Sequence, residues 1–262
     1  MLLTMDQLKG SKLQSLLTAW PSGTVSDTRW LRKQGYRFDL VDRYRRRGWL
    51  VSMGRGVVAR KGDHVDWTGG LYAVQTQLHL PIHVGGKTSL RLQGVVQYLP
   101  MGTGERVTLF GPPKVQLPGW FTHHDWGVRP HFTSTNMWES GEVAFSLTTI
   151  SRGAYEIQAS VPERAIMELL HAVPHEESFE EADQLMESLP ALRPDFVTRL
   201  LVACRSIKVK RVFLFLAERH QHSWVKALLL AKVNLGKGER TVVKGGRWDA
   251  KYQITVPKVE GG

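Results

Sequence analysis

The sequence predicts an α+β protein in which an N-terminal winged helix-turn-helix is followed by a larger mixed α+β domain. Three short helical patterns and a glycine-containing hairpin follow one another within residues 1–62, in the element order of a winged helix. The same segment carries most of the excess positive charge. Beyond it, strand-like runs and loops give way to a series of amphipathic helices.

The composition fits a globular protein that binds a polyanion. The 262 residues are 42% hydrophobic and 23% charged, which excludes a disordered or fibrous chain. The formal net charge is +11, and thirteen basic against four acidic side chains give residues 1–61 a net charge of +9. Because the excess is concentrated in one segment, we expect that segment to be a separate module with a polyanionic partner.

Two short helices begin this module. The first spans 11–20, where apolar side chains recur at helical spacing, Ser11 can cap the start and Pro21 ends the run. The second spans 25–35, with Ser26 as its N-cap and Gly35 ending it in the left-handed conformation. A tight turn then leads into a third helix.

The third helix and the hairpin carry much of the positive charge. Residues 37–47 place apolar side chains on one helical face and mostly charged side chains on the other. Residues 49–51 and 57–59 form the strands of a hairpin with Arg55 at its tip. Four side chains are assigned to the core of the module: Trp30, Leu40, Tyr44 and Trp49.

In a winged helix the third helix enters the major groove of DNA, and the hairpin, or wing, lies along the backbone or reaches the minor groove. Guanidinium groups bind phosphates or donate two hydrogen bonds to guanine. We therefore predict double-stranded DNA as the partner and the following contacting side chains: Lys33, Arg37, Arg43, Arg46, Arg47 and Arg55. Arg43, Arg46 and Arg47 would lie on the groove-facing helix. The alternative for this basic helix is a face that is only solvated.

The larger part of the chain is predicted to mix helices and strands. A helix at 66–79 precedes four strand-like runs, at 106–110, 143–148, 155–160 and 252–256. Ser160 is the predicted N-cap of a helix that has Pro162 in its first turn. Five predicted helices then dominate, at 162–170, 178–189, 194–204, 208–219 and 224–231.

Motifs for catalysis or cofactor binding are missing from the sequence. Residues 81–88 imitate a phosphate-binding loop, but Pro81 replaces the first required glycine, so we expect a strand-to-helix turn. The run His123-His124-Asp125, with His131 nearby, does not form a convincing metal-ligand set, because adjacent side chains rarely point at one ion. We predict no catalytic residue, no cofactor, no metal and no enzymatic activity.

The C-terminal half is electrostatically polarised. Eight acids and one arginine lie within 163–187, whereas twelve bases and three acids lie within 205–251. The two segments would either pair inside the protein or present separate surfaces to partners. Five basic side chains could instead extend the DNA-binding surface: Lys208, Lys210, Arg211, Lys226 and Lys232.

The sequence favours a cytoplasmic protein without a membrane partner. Cys204 is the single cysteine, so no intramolecular disulfide can form, and its apolar surroundings predict a buried core residue. The start of the chain lacks the pattern of a secretory signal. The longest apolar run, 212–217, is too short to span a bilayer.

Several segments follow one another in an order and spacing that resemble a known family. In the N-terminal part they are W-L-R-K-Q-G at 30–35, G-W-L at 48–50 and G-x-G-V at 54–57. In the C-terminal part they lie at 83–90, 162–170, 210–218 and 252–257. Together they look like the AbiEi antitoxins of AbiE abortive-infection systems, and the resemblance covers nearly the whole chain.

The resemblance implies a bacterial antitoxin with two functions. Its winged helix, residues 1–62, would bind inverted repeats in its own promoter and repress its operon. Its C-terminal antitoxin domain, residues 63–262, would counter a nucleotidyltransferase-like toxin, by direct contact or indirectly. The alternative is a protein-interaction module, in which the winged helix binds a protein partner and DNA binding is only non-specific.

Overall fold

The chain combines a winged helix with a larger part made of a mixed sheet and packed helices. The computed structural model describes residues 5–95, 104–138, 141 and 143–258, with side chains from residue 12 onward within these ranges. The predicted cap at Ser11 therefore lies outside the described side chains. The predicted fold class is confirmed.

Described residues 5–60 form three helices and a three-stranded sheet in the order of a winged helix-turn-helix. The elements are α1 (Met5–Ala19), β1 (Val25–Asp27), α2 (Thr28–Lys33), α3 (Phe38–Arg46), β2 (Leu50–Gly54) and β3 (Val57–Arg60). The antiparallel sheet has the order β1-β3-β2, and the hairpin β2-β3 is the wing. Buried side chains fill the space between helices and sheet: Leu16, Trp20, Leu31, Val41, Tyr44, Leu50 and Val58.

The start of the second helix differs from the prediction. Residues 25–27 form strand β1 instead of helix, because they pair with β3 of the hairpin and this long-range pairing overrides the local pattern. The helix cap is Asp27 and not Ser26, since the Asp27 carboxylate accepts a hydrogen bond from the Arg29 amide at 2.8 Å. Gly35 follows the helix with φ +86°, in the predicted left-handed conformation.

Trp49, which the sequence assigns to the core, lies on the surface. Its side chain is 51% exposed because it sits in the turn between α3 and β2, where Leu50 faces the core instead. Tyr44 is buried as predicted, and Trp30 and Leu40 are half-buried against the same cluster. The prediction is therefore wrong for one of its four core residues.

The larger part is built on a five-stranded sheet within the described ranges. Its elements in chain order are α4 (Trp67–Thr76), β4 (His83–Val84), α5 (Gly86–Leu92), β5 (Glu105–Gly111), α6 (Gly119–His123), β6 (Val128–Ser134), β7 (Leu147–Ser151) and β8 (Glu156–Ser160). The sheet has the order β6-β5-β4-β8-β7. The sequence pattern does not predict β6, because this edge strand contains Pro130 and lacks a regular apolar alternation.

Helices and a small sheet complete the described chain. They are α7 (Pro162–Ala172), α8 (Phe179–Glu187), α9 (Pro194–Ala203), α10 (Ile207–Arg219), β9 (Arg240–Thr241), β10 (Arg247–Asp249) and β11 (Ile254–Val256). Two sequence predictions are wrong here. Residues 223–227 and 230–232 form short 3-10 turns instead of one helix, and residues 144–146 form a 3-10 turn before β7 begins.

A buried carboxylate, Glu168 on α7, ties the helices to β4 and α5. It accepts hydrogen bonds from Ser160 Oγ and Arg164 Nε, each at 2.7 Å. It also lies 2.9 Å from His83 Nε2 and accepts the Gly86 amide at 3.2 Å. Burial alone would raise the pKa of Glu168, but the charges of Arg164 and His83 and these hydrogen bonds lower it to about 2.

The segment that imitates a phosphate-binding loop belongs to this buried cluster. It runs from β4 through Gly85 into α5, so the predicted strand-to-helix turn is confirmed. A Cβ at Gly85 would lie 2.2 Å from Glu168 Oε2, which leaves no room for a larger residue. The Ser160 hydroxyl bonds to Glu168 and does not cap α7, whose N-cap is Val161, so that predicted cap is wrong.

The winged helix and the larger part share a core. Val25 of β1 is buried in one cluster with side chains of α4 and β5. The Gln77 side chain accepts the Asp27 amide at 2.9 Å and donates to the Val25 carbonyl at 3.0 Å. On the wing, a Cβ at Gly54 would lie 3.4 Å from Trp120 Cβ of α6. These contacts fix the position of the wing against the larger part.

Candidate nucleic-acid interface

Helix α3 presents a charged face to solvent because its apolar face is buried. Val41 and Tyr44 pack in the core of the winged helix. Helix α2, the turn at Gly35 and α3 together form the helix-turn-helix. All three arginines that were predicted to face the groove are exposed on α3 or directly after it: Arg43, Arg46 and Arg47.

These arginines differ in whether a carboxylate holds them. Arg46 pairs with Asp42 one turn earlier at 2.6 Å, and Arg45 lies 3.6 Å from the same residue. Among the described residues, Arg43 and Arg47 have no carboxylate within salt-bridge distance. Their guanidinium groups are therefore free to bind a phosphate or the edge of a base.

Two further predicted residues flank the turn of the helix-turn-helix. Lys33 ends α2 and Arg37 precedes α3, and both are exposed. Arg37 Nε lies 3.6 Å from Asp39, but both side chains are largely exposed, so this pair holds the guanidinium weakly. The structure thus brings five of the six predicted residues to the surface of the helix-turn-helix, and their contact with DNA stays a prediction.

Arg55 occupies the tip of the wing, as predicted. It lies between Gly54 (φ +137°) and Gly56 (φ +78°), backbone conformations that a side chain would strain, and its own side chain is exposed. The amide and the hydroxyl of Thr28 both donate to the Gly56 carbonyl, at 2.9 and 3.0 Å. The wing tip is therefore fixed beside the start of α2.

Replacing Arg55 with alanine is expected to weaken binding to any DNA duplex by a similar factor, because a wing arginine that contacts phosphates carries no sequence information. The slope of log affinity against log salt should become shallower by about 0.9, the value for one lost phosphate contact. Fluorescence anisotropy on two unrelated duplexes measures both quantities. A loss confined to one sequence would show that Arg55 reads bases.

The structure exposes an aromatic side chain that the sequence reasoning does not assign to the interface. Phe38, the first residue of α3, is 73% exposed. The apolar face of α3 is complete without Phe38. This surplus apolar side chain at the start of the helix is the signal in the sequence that could have indicated its role. The first residues of a recognition helix contact base edges, and an apolar side chain there suits a thymine methyl group.

The Phe38→Ala variant is expected to bind scrambled DNA as the wild type does but to prefer its own upstream DNA less, by about tenfold. The exposed ring makes no core contact, so the melting temperature should stay nearly unchanged. Competition between the two duplexes, followed by anisotropy, measures the preference. Equal losses on both duplexes would contradict a role in reading bases.

The basic segment of the C-terminal half does not extend this surface as a whole. Lys210 and Arg211 are buried, Lys208 is half-buried, and all three donate hydrogen bonds to backbone carbonyls at 2.8–2.9 Å. The extension through these three side chains is therefore wrong, since they cannot reach DNA. Lys226 and Lys232 are exposed, and for them it stays a prediction.

The acidic and basic segments meet where the middle of α8 lies beside the C-terminal end of α10. Asp183 lies 3.1 Å from Arg219 and 2.7 Å from His220. Other acids of the first segment pair elsewhere, as Glu163 does with Arg193 at 2.8 Å. Internal pairing between the two segments therefore explains only part of the polarity.

Three other features were candidates for a function: the metal-ligating side chains, Cys204 and the apolar helices. In the described part of the chain, no three metal-ligating side chains lie close enough to hold an ion, and His131 Nε2 contacts Glu176 at 2.8 Å. Cys204 is buried as predicted, and burial raises the pKa of its thiol to about 11. None of the helices in the described ranges has the length and apolar character needed to span a bilayer.

Comparison with known proteins gives family matches over most of the chain. Residues 9–101 match the model described as "Transcriptional regulator, AbiEi antitoxin N-terminal domain". Residues 104–257, more than half of the chain, match "Transcriptional regulator, AbiEi antitoxin, Type IV TA system". A search of the curated proteins finds no match. The crystal structure of the RV2827C protein from Mycobacterium tuberculosis is similar at 17% identity and a TM-score of 0.55, over 88% of this chain and 85% of that chain, which shows a shared fold.

Proposed function

The chain belongs to the AbiEi antitoxins, transcriptional regulators of type IV toxin–antitoxin systems, and on this premise we propose that it represses its own operon by binding promoter DNA through its winged helix. The observation that carries the proposal is the exposed face of α3, on which Arg43 and Arg47 are free of carboxylates among the described residues. Arg55, Lys33, Arg37 and Arg46 would complete the contacts.

The proposed DNA site is a pair of inverted repeats upstream of the gene. One α3 inserted in the major groove reads only a few base pairs, so repression by this surface requires two copies on two half-sites. We assign this role to residues 1–62. The concentration of positive charge in that segment supports the assignment.

We assign the antitoxin function to residues 63–262, which would counter a nucleotidyltransferase-like toxin. Support for the toxin class comes from the resemblance of the segments at 83–90 and 162–170 to the family. The buried cluster around Glu168 gives those segments a structural role. Neutralisation therefore has to depend on surface residues outside that cluster.

A promoter fusion tests the regulatory proposal in cells. A reporter gene placed behind the DNA upstream of this gene should be repressed by the full-length protein. The Arg43→Ala/Arg47→Ala variant should release repression while accumulating to the same level. Repression that survives this variant would contradict a reading role for α3.

Coexpression with the neighbouring toxin separates the two functions. The same arginine variant should still rescue growth when both proteins are expressed from foreign promoters, because its substitutions lie in α3 and leave residues 63–262 unchanged. Failure of the wild type to rescue growth would contradict the antitoxin assignment. Failure of the variant alone would show that neutralisation needs the DNA-binding surface.

The alternative, a winged helix that binds a protein partner, has one observation in its favour. Trp49, in the turn before the wing, and Val51, on its edge strand β2, are both exposed apolar side chains. If this alternative held, a Trp49→Ala/Val51→Ala variant would lose function while DNA binding stayed weak and independent of sequence.

A further inference from the structure

We propose that the groove between the wing and α6 binds the phosphate backbone of DNA, so that His123 and His124 of the larger part extend the interface beyond the winged helix. This inference rests on the proposed function and adds a second binding surface to it. We call this surface the wing groove. It is lined by the wing tip, the start of α2 and residues 118–124, and its volume is about 900 Å³.

The position of the wing groove places α6 directly beside the wing. A Cβ at Gly54 of the wing would lie 3.4 Å from Trp120 Cβ, which is van der Waals distance, so the wing and α6 are neighbours. The hydrogen bonds of Thr28 to Gly56 hold the opposite wall, at the start of α2. A DNA strand that follows the wing past Arg55 therefore also passes α6.

The lining of the wing groove combines two histidines with one arginine that is not held by a carboxylate among the described residues. Arg29, Arg55, His123 and His124 all line it. The carboxylate in this lining, Asp27, is already satisfied, because the Arg29 side chain donates to its two oxygens at 3.0 and 2.8 Å and the Arg29 amide at 2.8 Å. Arg55 therefore supplies the uncompensated positive charge of this lining, the two histidines add hydrogen-bonding groups, and the carboxylate of Asp27 is already paired.

An unpaired donor lies in the same wall. Trp120 is 91% buried, and its indole Nε1–H has no acceptor among the described residues. Because this nitrogen is itself buried from solvent, an anion in the groove contacts it only if the Trp120 ring moves.

The expected occupant is a phosphodiester segment and not a free phosphate ion. The wing groove is much larger than one phosphate, and one of its walls is the wing itself, with Arg55 at the tip. A backbone segment with its sugar fills such a space and reaches both Arg55 and the histidines of α6. Contacts of this kind position the protein on DNA without reading the sequence.

The main test is the His123→Ala/His124→Ala variant of the full-length protein, measured by anisotropy on the upstream duplex and on a scrambled duplex. We expect binding to both to weaken by a similar factor, about tenfold, with the preference unchanged. His175→Ala, which removes an exposed histidine outside the groove, is the matched control. If the His123→Ala/His124→Ala variant bound both duplexes as tightly as this control, the proposal would be overturned.

A further variant keeps the test independent of folding defects. His123→Lys/His124→Lys should strengthen binding and steepen the salt dependence by about 0.9 for each new phosphate contact. An unchanged salt slope in the lysine variant would overturn the proposal.

A titration with inorganic phosphate distinguishes the two sources of the anion. Competition with DNA that depends on His123 and His124 supports the proposal. Phosphate that binds through these histidines without displacing DNA would overturn the assignment to the DNA backbone. If the wild type bound the upstream and scrambled duplexes equally, the proposed function would be contradicted. If the histidine variants bound DNA like the wild type while the α3 arginine variants bound it poorly, the role of the wing groove alone would be contradicted.

Discussion

Replacing Arg43, Arg46 and Arg47 together by alanine is expected to lower the affinity for the protein's own upstream DNA by about 100-fold or more. The three side chains are exposed, and two of them have no carboxylate partner among the described residues. A bidentate contact to a base contributes about 1–3 kcal/mol of discrimination, and 1.4 kcal/mol is a tenfold change. Since none of the three packs in the core, the melting temperature should change little.

The single variants and a charge-matched control sharpen this prediction. Arg43→Ala and Arg47→Ala should each cost more affinity than Arg46→Ala, because Asp42 already holds Arg46 at 2.6 Å. The control variant removes three exposed bases of the larger part: Lys237, Lys244 and Arg247. Anisotropy on the upstream duplex measures all of them. An equal loss in the control would mean that net charge, and not the face of α3, determines binding.

The second large effect is on stability. Replacing Glu168 with alanine is expected to destabilise the protein by about 3–5 kcal/mol, because it leaves Arg164 and His83 buried without their carboxylate. Urea unfolding followed by circular dichroism measures the change. Glu180→Ala, on the exposed face of α8, is the control and should stay within about 0.5 kcal/mol of the wild type. A Glu168→Ala variant as stable as this control would contradict the role of the cluster.

The same carboxylate makes the stability depend on pH. The pKa of Glu168 is about 2 in the folded protein, below its ordinary value of 4.5, so the unfolded chain takes up the proton first as the pH falls. The stabilisation is therefore fully present above about pH 4.5 and is lost as the pH falls towards 2. Burial also lowers the pKa of His83, which acts in the same direction below its ordinary value of 6.5.

Glu168→Gln removes this titration while keeping the shape of the side chain. Its urea midpoint should therefore fall less than that of the wild type between about pH 5 and about pH 3. If the urea midpoints of the two proteins fell in parallel over this pH range, other carboxylates would determine the loss of stability in acid.

Local signals were sufficient to predict most of the winged helix. These signals are the glycine that ends α2 (Gly35), the apolar face of α3 and the glycines beside Arg55. Each depends on only a few neighbouring residues, so each can be recognised in the sequence. Strand β1 was missed because its extended conformation depends on pairing with β3, which is distant in sequence. Trp49 was misassigned because an apolar residue in a turn carries no sign of the direction it faces.

The larger part was predicted less completely because its organisation depends on long-range contacts. The Glu168 cluster joins residues from β4, α5 and the end of β8, and no local pattern shows that these meet. The short turns after α10 were mistaken for a helix because their apolar spacing resembles one.

The candidate interface likewise contains residues that the sequence predicts and residues that it does not. Charge and helical spacing predict the exposed arginines of α3, whereas the ion pair that holds Arg46 to Asp42 was found only in the structure. The position of His123 and His124 beside the wing follows only from the packing of Gly54 on α6. Sequence therefore indicates the reading helix but not the full extent of the surface.

The most direct test of the regulator compares the full-length protein on duplex DNA from immediately upstream of its gene with a scrambled duplex, by anisotropy between about 50 and 200 mM salt. We predict a preference of about a thousandfold or more for the upstream duplex, and its loss in the Arg43→Ala/Arg46→Ala/Arg47→Ala variant. Equal, weak binding to both duplexes that is unaffected by these substitutions would contradict the DNA-reading role of α3 and favour a protein-interaction module.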